Sequence, residues 1–199
     1  MKLIIAPDPI LLTICESVTD IEEQVLPFIP EMRRILREKK GAGLAANQVG
    51  IARRFFIDKQ HVYINPELEP IDVELLEGRE GCLSLPGGMY LMERWRGVRL
   101  TYWDLECKEH VVEARIPNQT KSLKDIAQLT KCLMFQHEMD HLNGQLVKNL
   151  GKELKGQIGP VIDEKDRVFD PRQLPVVGLA ELQKHVNMTR TKKLREQDQ

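Results

Sequence analysis

Residues 123–142 read "LKDIAQLTKCLMFQHEMDHL", and the apolar side chains of Ile126, Leu129, Leu133 and Met134 recur there at the three- and four-residue intervals of an α-helix. A polar run, "PNQTKS", leads into the stretch, so it reads as one helix. Near its end, His137-Glu138-Met139-Asp140-His141 has the form His-Glu-x-x-His. Histidines four residues apart lie above one another on one helical face, so their imidazoles can converge on a single ion. Glu138, one position along, points beside that ion, where it can hold a water without being a ligand. So short a motif also arises by chance, and the metal reading therefore depends on a third ligand.

Downstream, two familiar arrangements fail. A His-x-x-Gly-x-x-His continuation has its glycine in Gly144 but Val147 where the histidine is required, and no Asn-Glu-x-x-Asp string follows His141. Glu153, Glu164 and Glu181 stay open as carboxylate ligands. Upstream, "EGCLSLPGG" (residues 80–88) sets Cys82 between Gly81 and Leu83, in a glycine-flanked turn after a strand. A thiolate is a strong ligand for a divalent transition metal, and a Cys-His-His set with an open fourth position is a catalytic arrangement rather than a closed structural one. Cys15, Cys107 and Cys132 read as core packing.

Outward from the helix, the segment Asp20 to Lys40 places Phe28, Met32, Ile35 and Leu36 at helical spacing. Its helix is expected to start near Leu26, so that Pro27 and Pro30 fall in the first turn, and Gly41 ends it. Short β-like runs follow at 53–59, 61–68, 72–78, 98–105 and 110–116, which predicts a mostly antiparallel middle section. From Gly151 the composition turns polar and proline-broken, so residues 151–199 read as a loosely packed appendage with a terminal amphipathic segment, outside a catalytic domain of residues 1–150. A chain of 199 residues with 42% hydrophobic and 30% charged residues and a formal net charge of -1 carries no sign of nucleic acid or membrane as its main partner. Scattered cysteines and no export signal point to a reducing, cytoplasmic setting. His61, His110 and His185 have no partner at ligand spacing and read as surface or structural. Trp95 and Trp103 read as packing residues.

Three strings, "GAGLAANQVG" (41–50), "EGCLSLP" (80–86) and "QHEMDHLNG" (136–144), make the sequence resemble the peptide deformylase family over about residues 3–150. The resemblance implies an α+β fold, with antiparallel β-sheets packed around a central helix that carries the His-Glu-x-x-His motif. It also implies removal of the formyl group from the N-terminal formyl-methionine of new polypeptides. Carried over residue by residue, Cys82, His137 and His141 match the metal ligands. One divalent ion is expected, Fe2+ in the cell, with Zn2+, Ni2+ or Co2+ able to substitute. Glu138 matches the general acid/base, and Gln48 and the Leu83 backbone N–H match the donors to the oxyanion. Ala42, Gly43 and Gly81 fall where the family's backbone pairs with the substrate peptide, and Glu80 and Arg94 match a supporting carboxylate and arginine. Leu133, one turn before His137, is expected to wall a methionine pocket, with Met134 adjacent. A monomer acting on formyl-Met nascent peptides is expected. The ribosome is a further candidate partner, through the basic residues Arg190, Lys192, Lys193 and Arg195 of the tail.

The chain departs from the family pattern in three places. Extra residues, "RIPNQTKSLKD", precede the helix; Met89 stands where many members have a peptide-contacting arginine; and the tail does not look like a single C-terminal helix.

Overall fold

The computed structural model describes residues 1–154. Its elements run α1 (Ile21–Gln24), α2 (Ile29–Lys39), β1 (Leu44–Ala45), β2 (Phe55–Ile57), β3 (Val62–Cys82), β4 (Leu85–Trp103), β5 (Glu109–Arg115), α3 (Leu123–Leu142), α4 (Val147–Leu150) and β6 (Lys152–Glu153). The strands make one antiparallel sheet in the order β1-β2-β3-β4-β5, and β6 joins the same β4 at Tyr90 and Leu91. With α3 packed against it, this is the expected α+β architecture.

α3 starts at Leu123 because the chain caps it there. The Ser122 hydroxyl accepts from the Asp125 N–H at 3.2 Å, and the Asp125 carboxylate accepts from the Ser122 N–H at 2.9 Å, which satisfies two donors that no helical turn can reach. The helix stops at Gly144, whose φ of 69° suits glycine; its N–H bonds the His141 carbonyl at 3.0 Å. Leu129, Cys132, Leu133, Met134, Phe135 and Leu142 are all buried, so the helix is apolar on more than one face, as a core helix must be. Around it close Phe56, Tyr63, Val98, Leu100 and Tyr102 of the sheet. Gln136 fixes the register of helix on sheet, accepting from the Trp95 N–H at 2.8 Å and donating to its carbonyl at 3.0 Å. A second cluster sets Met32, Ile35 and Leu36 of α2 against Leu44, Phe55, Ile57 and Ile64.

The structure corrects several local expectations. α2 begins at Ile29, after a 3-10 turn over Leu26–Phe28. Pro30 has no N–H for the carbonyl four residues back, so an α-helix cannot start as early as Leu26 and still run through it. The runs at 61–68 and 72–78 are one strand, β3, with register shifts near Pro66 and Pro70; such bulges absorb residues that cannot pair. Cys82 is the last residue of that strand, and the turn is only Leu83 and Ser84. Cys107 is exposed, at φ 59° in a surface turn, and Trp103 is 42% exposed, because both lie at the solvent end of β4. Trp95, Cys15 and Cys132 do pack in or against the core. His61 and His110 pair with Asp58 and Asp104. β6 keeps the chain on the sheet as far as Glu153. The rest of the expected appendage, with His185 and the basic tail residues, lies outside the described residues.

Candidate active site

The sheet and α3 bring three donors together. The ligand atoms of Cys82, His137 and His141 lie within 4.8 Å of one another, with Cys82 Sγ 3.2 Å from His141 Nε2. Metal–sulfur and metal–nitrogen bonds of about 2.3 and 2.0 Å at a tetrahedral angle put the two atoms roughly 3.5 Å apart, so the spacing fits a shared ion. Cys82 is 8% and His141 1% exposed, whereas the His137 side chain is 13% exposed; the opening to solvent is on the His137 side. Among the described residues no other group of donors is so placed. Glu153 is exposed on β6, opposite Tyr90, and is not in the set. Glu164 and Glu181 lie outside the described residues.

Behind His137 stands a buried network of charges. Glu80 Oε2 accepts from His137 Nδ1 at 2.9 Å, which leaves the Nε2 lone pair for the ion. Arg94 clamps Glu80 through Nε and Nη2 at 2.7 and 2.8 Å and reaches Asp140 through Nη1 at 2.7 Å. Burial pushes the Glu80 carboxyl up, but Arg94 and His137 outweigh it and hold it at about 2. For His137, burial lowers the value, and the Cys82 and Glu80 acceptors more than reverse that. His141 is lowered by burial and by its neighbour His137, which keeps it in the neutral form that ligates. The glutamate is thus an anion and orients one ring.

Glu138 is 3% exposed, and its Oε2 has no hydrogen-bond partner. Burial pushes its carboxyl up to about 7, only partly offset by His137. A Cβ on Gly43 would come within 2.8 Å of Glu138 Cγ and Cδ, so only glycine lets the loop close over this carboxylate. That loop continues into a 3-10 turn carrying Gln48, which is 2% exposed. The Gln48 amide oxygen accepts from the Ala45 N–H at 3.0 Å; its nitrogen donates to Ser84 Oγ at 3.1 Å and lies 3.7 Å from Cys82 Sγ. The amide thus donates to both Ser84 Oγ and the Cys82 thiol, which aims it at the ligand cluster.

Leu83 follows Cys82 in the turn and Gly81 precedes it on β3; Met89 Cε comes 4.0 Å from where a Gly81 Cβ would lie. Ala42 is buried, and Leu133 is 4% exposed within the cluster between helix and sheet. Reasoning from sequence gave no role to Ser84, Asp140 or Asn47. All three stood inside strings already singled out, yet none of those strings discloses what they hold. Asn47 donates from Nδ2 to the His141 carbonyl at 2.6 Å, a partner 94 residues away that spacing cannot disclose.

One thiol and two imidazoles that could hold a metal, with an adjacent buried carboxylate whose Oε2 is unpaired, carried on an α+β scaffold, fit the class of metal-dependent hydrolases. The comparisons narrow the class. A family model for polypeptide deformylase matches residues 1–155. The peptide deformylase of Saccharophagus degradans is 34% identical over 158 residues, which cover 76% of this chain and 84% of that one. Among solved structures, peptide deformylase from Thermotoga maritima is 31% identical at a TM-score of 0.64, covering 75% of this chain and 95% of that one. That from Plasmodium falciparum is 32% identical at 0.64, covering 75% and 88%. The chain belongs to the peptide deformylase family, enzymes that remove the N-formyl group from nascent peptides.

Proposed function

We propose that Cys82, His137 and His141 hold one divalent ion, Fe2+ in the cell, replaceable by Zn2+, Ni2+ or Co2+, and that the formyl group is hydrolysed beside it. The observation that carries this reading is the convergence of the three donors, with the buried Glu138 one residue from His137 and its Oε2 unpaired. Such an ion supplies Lewis-acid activation of water and polarises the formyl oxygen. Glu138 takes a proton from the attacking water and delivers it to the departing amine nitrogen. Gln48 Nε2 and the Leu83 N–H donate to the formyl oxygen as it gains charge, and losing one such donor lowers the rate about 100- to 1000-fold. Ser84 serves this step by holding the Gln48 amide in place. Ala42, Gly43 and Gly81 present backbone to the substrate peptide, and Leu133 walls the methionine pocket. Met89 offers no charge to the peptide, so recognition rests on backbone pairing and on this pocket.

The enzyme acts as a cytoplasmic monomer on formyl-Met nascent peptides, with its basic tail as a contact to the ribosome. In support, no described helix is long and apolar enough to cross a membrane. The test is formate release from a formyl-Met peptide by anaerobically purified protein, measured beside its metal content. Cys82→Ala should lose the metal and the activity together. Full metal content in that variant would move the third ligand elsewhere.

A further inference from the structure

We propose that Gly78 sets the depth of the pocket for the first side chain of the substrate, and opens it to formylated residues longer than methionine. This rests on the deformylase reading above. Residues two apart on a strand share a face, so Leu76, Gly78 and Glu80 of β3 look toward α3, ahead of the register shift that precedes Cys82. Leu76 packs against the cluster that contains Leu129, Cys132 and Leu133; Glu80 bonds His137; Cys82 is a ligand in the proposed set. Gly78 is buried between them, yet a Cβ built on it would meet no heavy atom within 4 Å. Met92, paired directly across from it, turns its sulfur toward Gly151 instead.

Protein interiors are close-packed, and an unfilled position on a core-facing strand is uncommon. Neither of the usual demands for glycine applies, since the φ of Gly78 is not left-handed and no backbone crowds it. Glycine also weakens a strand interior. The fold gains nothing from it, whereas a ligand would gain room. That room begins roughly 7 Å along the strand from Glu80, two residues at about 3.3 Å each. It is flanked by the apolar Leu76. The side chain on the carbon attached to the formyl nitrogen starts three bonds from the reacting carbon, so a long, unbranched apolar chain is the occupant that fits.

The experiment uses the metal-loaded full chain and formyl-X-Ala-Ser peptides in which X is norvaline, methionine or 2-aminooctanoic acid, with kcat/KM measured for wild type, Gly78→Ala and Gly78→Val. Each methylene in an apolar pocket is worth about 10- to 200-fold in discrimination. The expected result is wild-type turnover of the 2-aminooctanoyl peptide within about tenfold of methionine. Gly78→Val should depress that longest substrate by about tenfold or more while sparing norvaline, with Gly78→Ala in between. Melting temperature and metal content should not fall in Gly78→Ala, because the added Cβ meets no atom within 4 Å. Equal losses on all three peptides, or an unchanged ratio in both variants, would overturn the proposal. A wild-type enzyme that releases no formate from formyl-Met would instead overturn the deformylase reading, and this inference with it.

Discussion

Glu80 shows how much of the site lies in single side chains. It is buried, ionised and held on three sides, so its partners matter more to it than solvent does. Replacing Arg94 by Met leaves Glu80 and Asp140 without their cation, and breaking a buried pair in this way should cost about 3–5 kcal/mol, read from urea unfolding of the metal-free protein. Glu80→Gln keeps the shape but weakens the bond to His137; metal affinity should drop about 10- to 100-fold. The cysteines offer a second check. Burial pushes Cys15 up to about 11 and Cys132 up to about 12, whereas Cys107 is exposed. A thiol reagent at neutral pH should therefore label Cys107 rapidly, Cys82 only after chelation, and Cys15 and Cys132 only on unfolding. Labelling of Cys132 in the native state would contradict the packing described. At this scale the sequence was informative where chemistry repeats along the chain: two histidines at helical spacing and a cysteine in a glycine-flanked string. It was silent where a role depends on a remote partner, as with Asn47 on His141, or on empty space, as at Gly78.

Among the elements, α3 is where sequence and structure agree best, because its periodicity, its cap and its terminal glycine all fall inside one continuous stretch. Removing the cap by Ser122→Ala should lower stability by about 1 kcal/mol. The Asp125 carboxyl is held below its ordinary 3.8, first by the Ser122 hydroxyl and then, against a small burial cost, by the Lys121 and Ser122 N–H groups. Its folded value is depressed, so its contribution is fully present above pH 3.8 and is lost as pH falls through the lowered value. The stability gap between wild type and Asp125→Asn should close on acidification below pH 4 or so, and a gap independent of pH would sink the cap's role. The strands were harder to read. Pro66, Pro70 and Pro86 look like breaks, yet β3 and β4 run 21 and 19 residues through them, since register shifts let a strand carry prolines. Cys82 was expected in a turn because glycines flank it, yet it is the last residue of β3.

The whole molecule brings together what the chain keeps far apart: Gln48, Cys82 and His141 meet only because β3 and β4 fold back beneath α3. Fold class and the cluster of Cys82, His137 and His141 were nonetheless readable, because three separate strings carried the same family resemblance and one of them lay on a clear helix. The tail is a separate matter. If its basic run docks on the ribosome, deleting residues 187–199 should reduce co-sedimentation at low salt while leaving turnover of a free formyl-Met peptide unchanged. Equal co-sedimentation of both forms would rule that contact out. The central claim is that Glu138 moves the proton while Cys82, His137 and His141 hold the ion, and Glu138→Gln tests it most directly. The substitution keeps the shape and removes the proton acceptor. Metal content should stay at the wild-type level while formate release from a formyl-Met peptide falls below about a hundredth of wild type. Full metal content with turnover above that level would contradict the account.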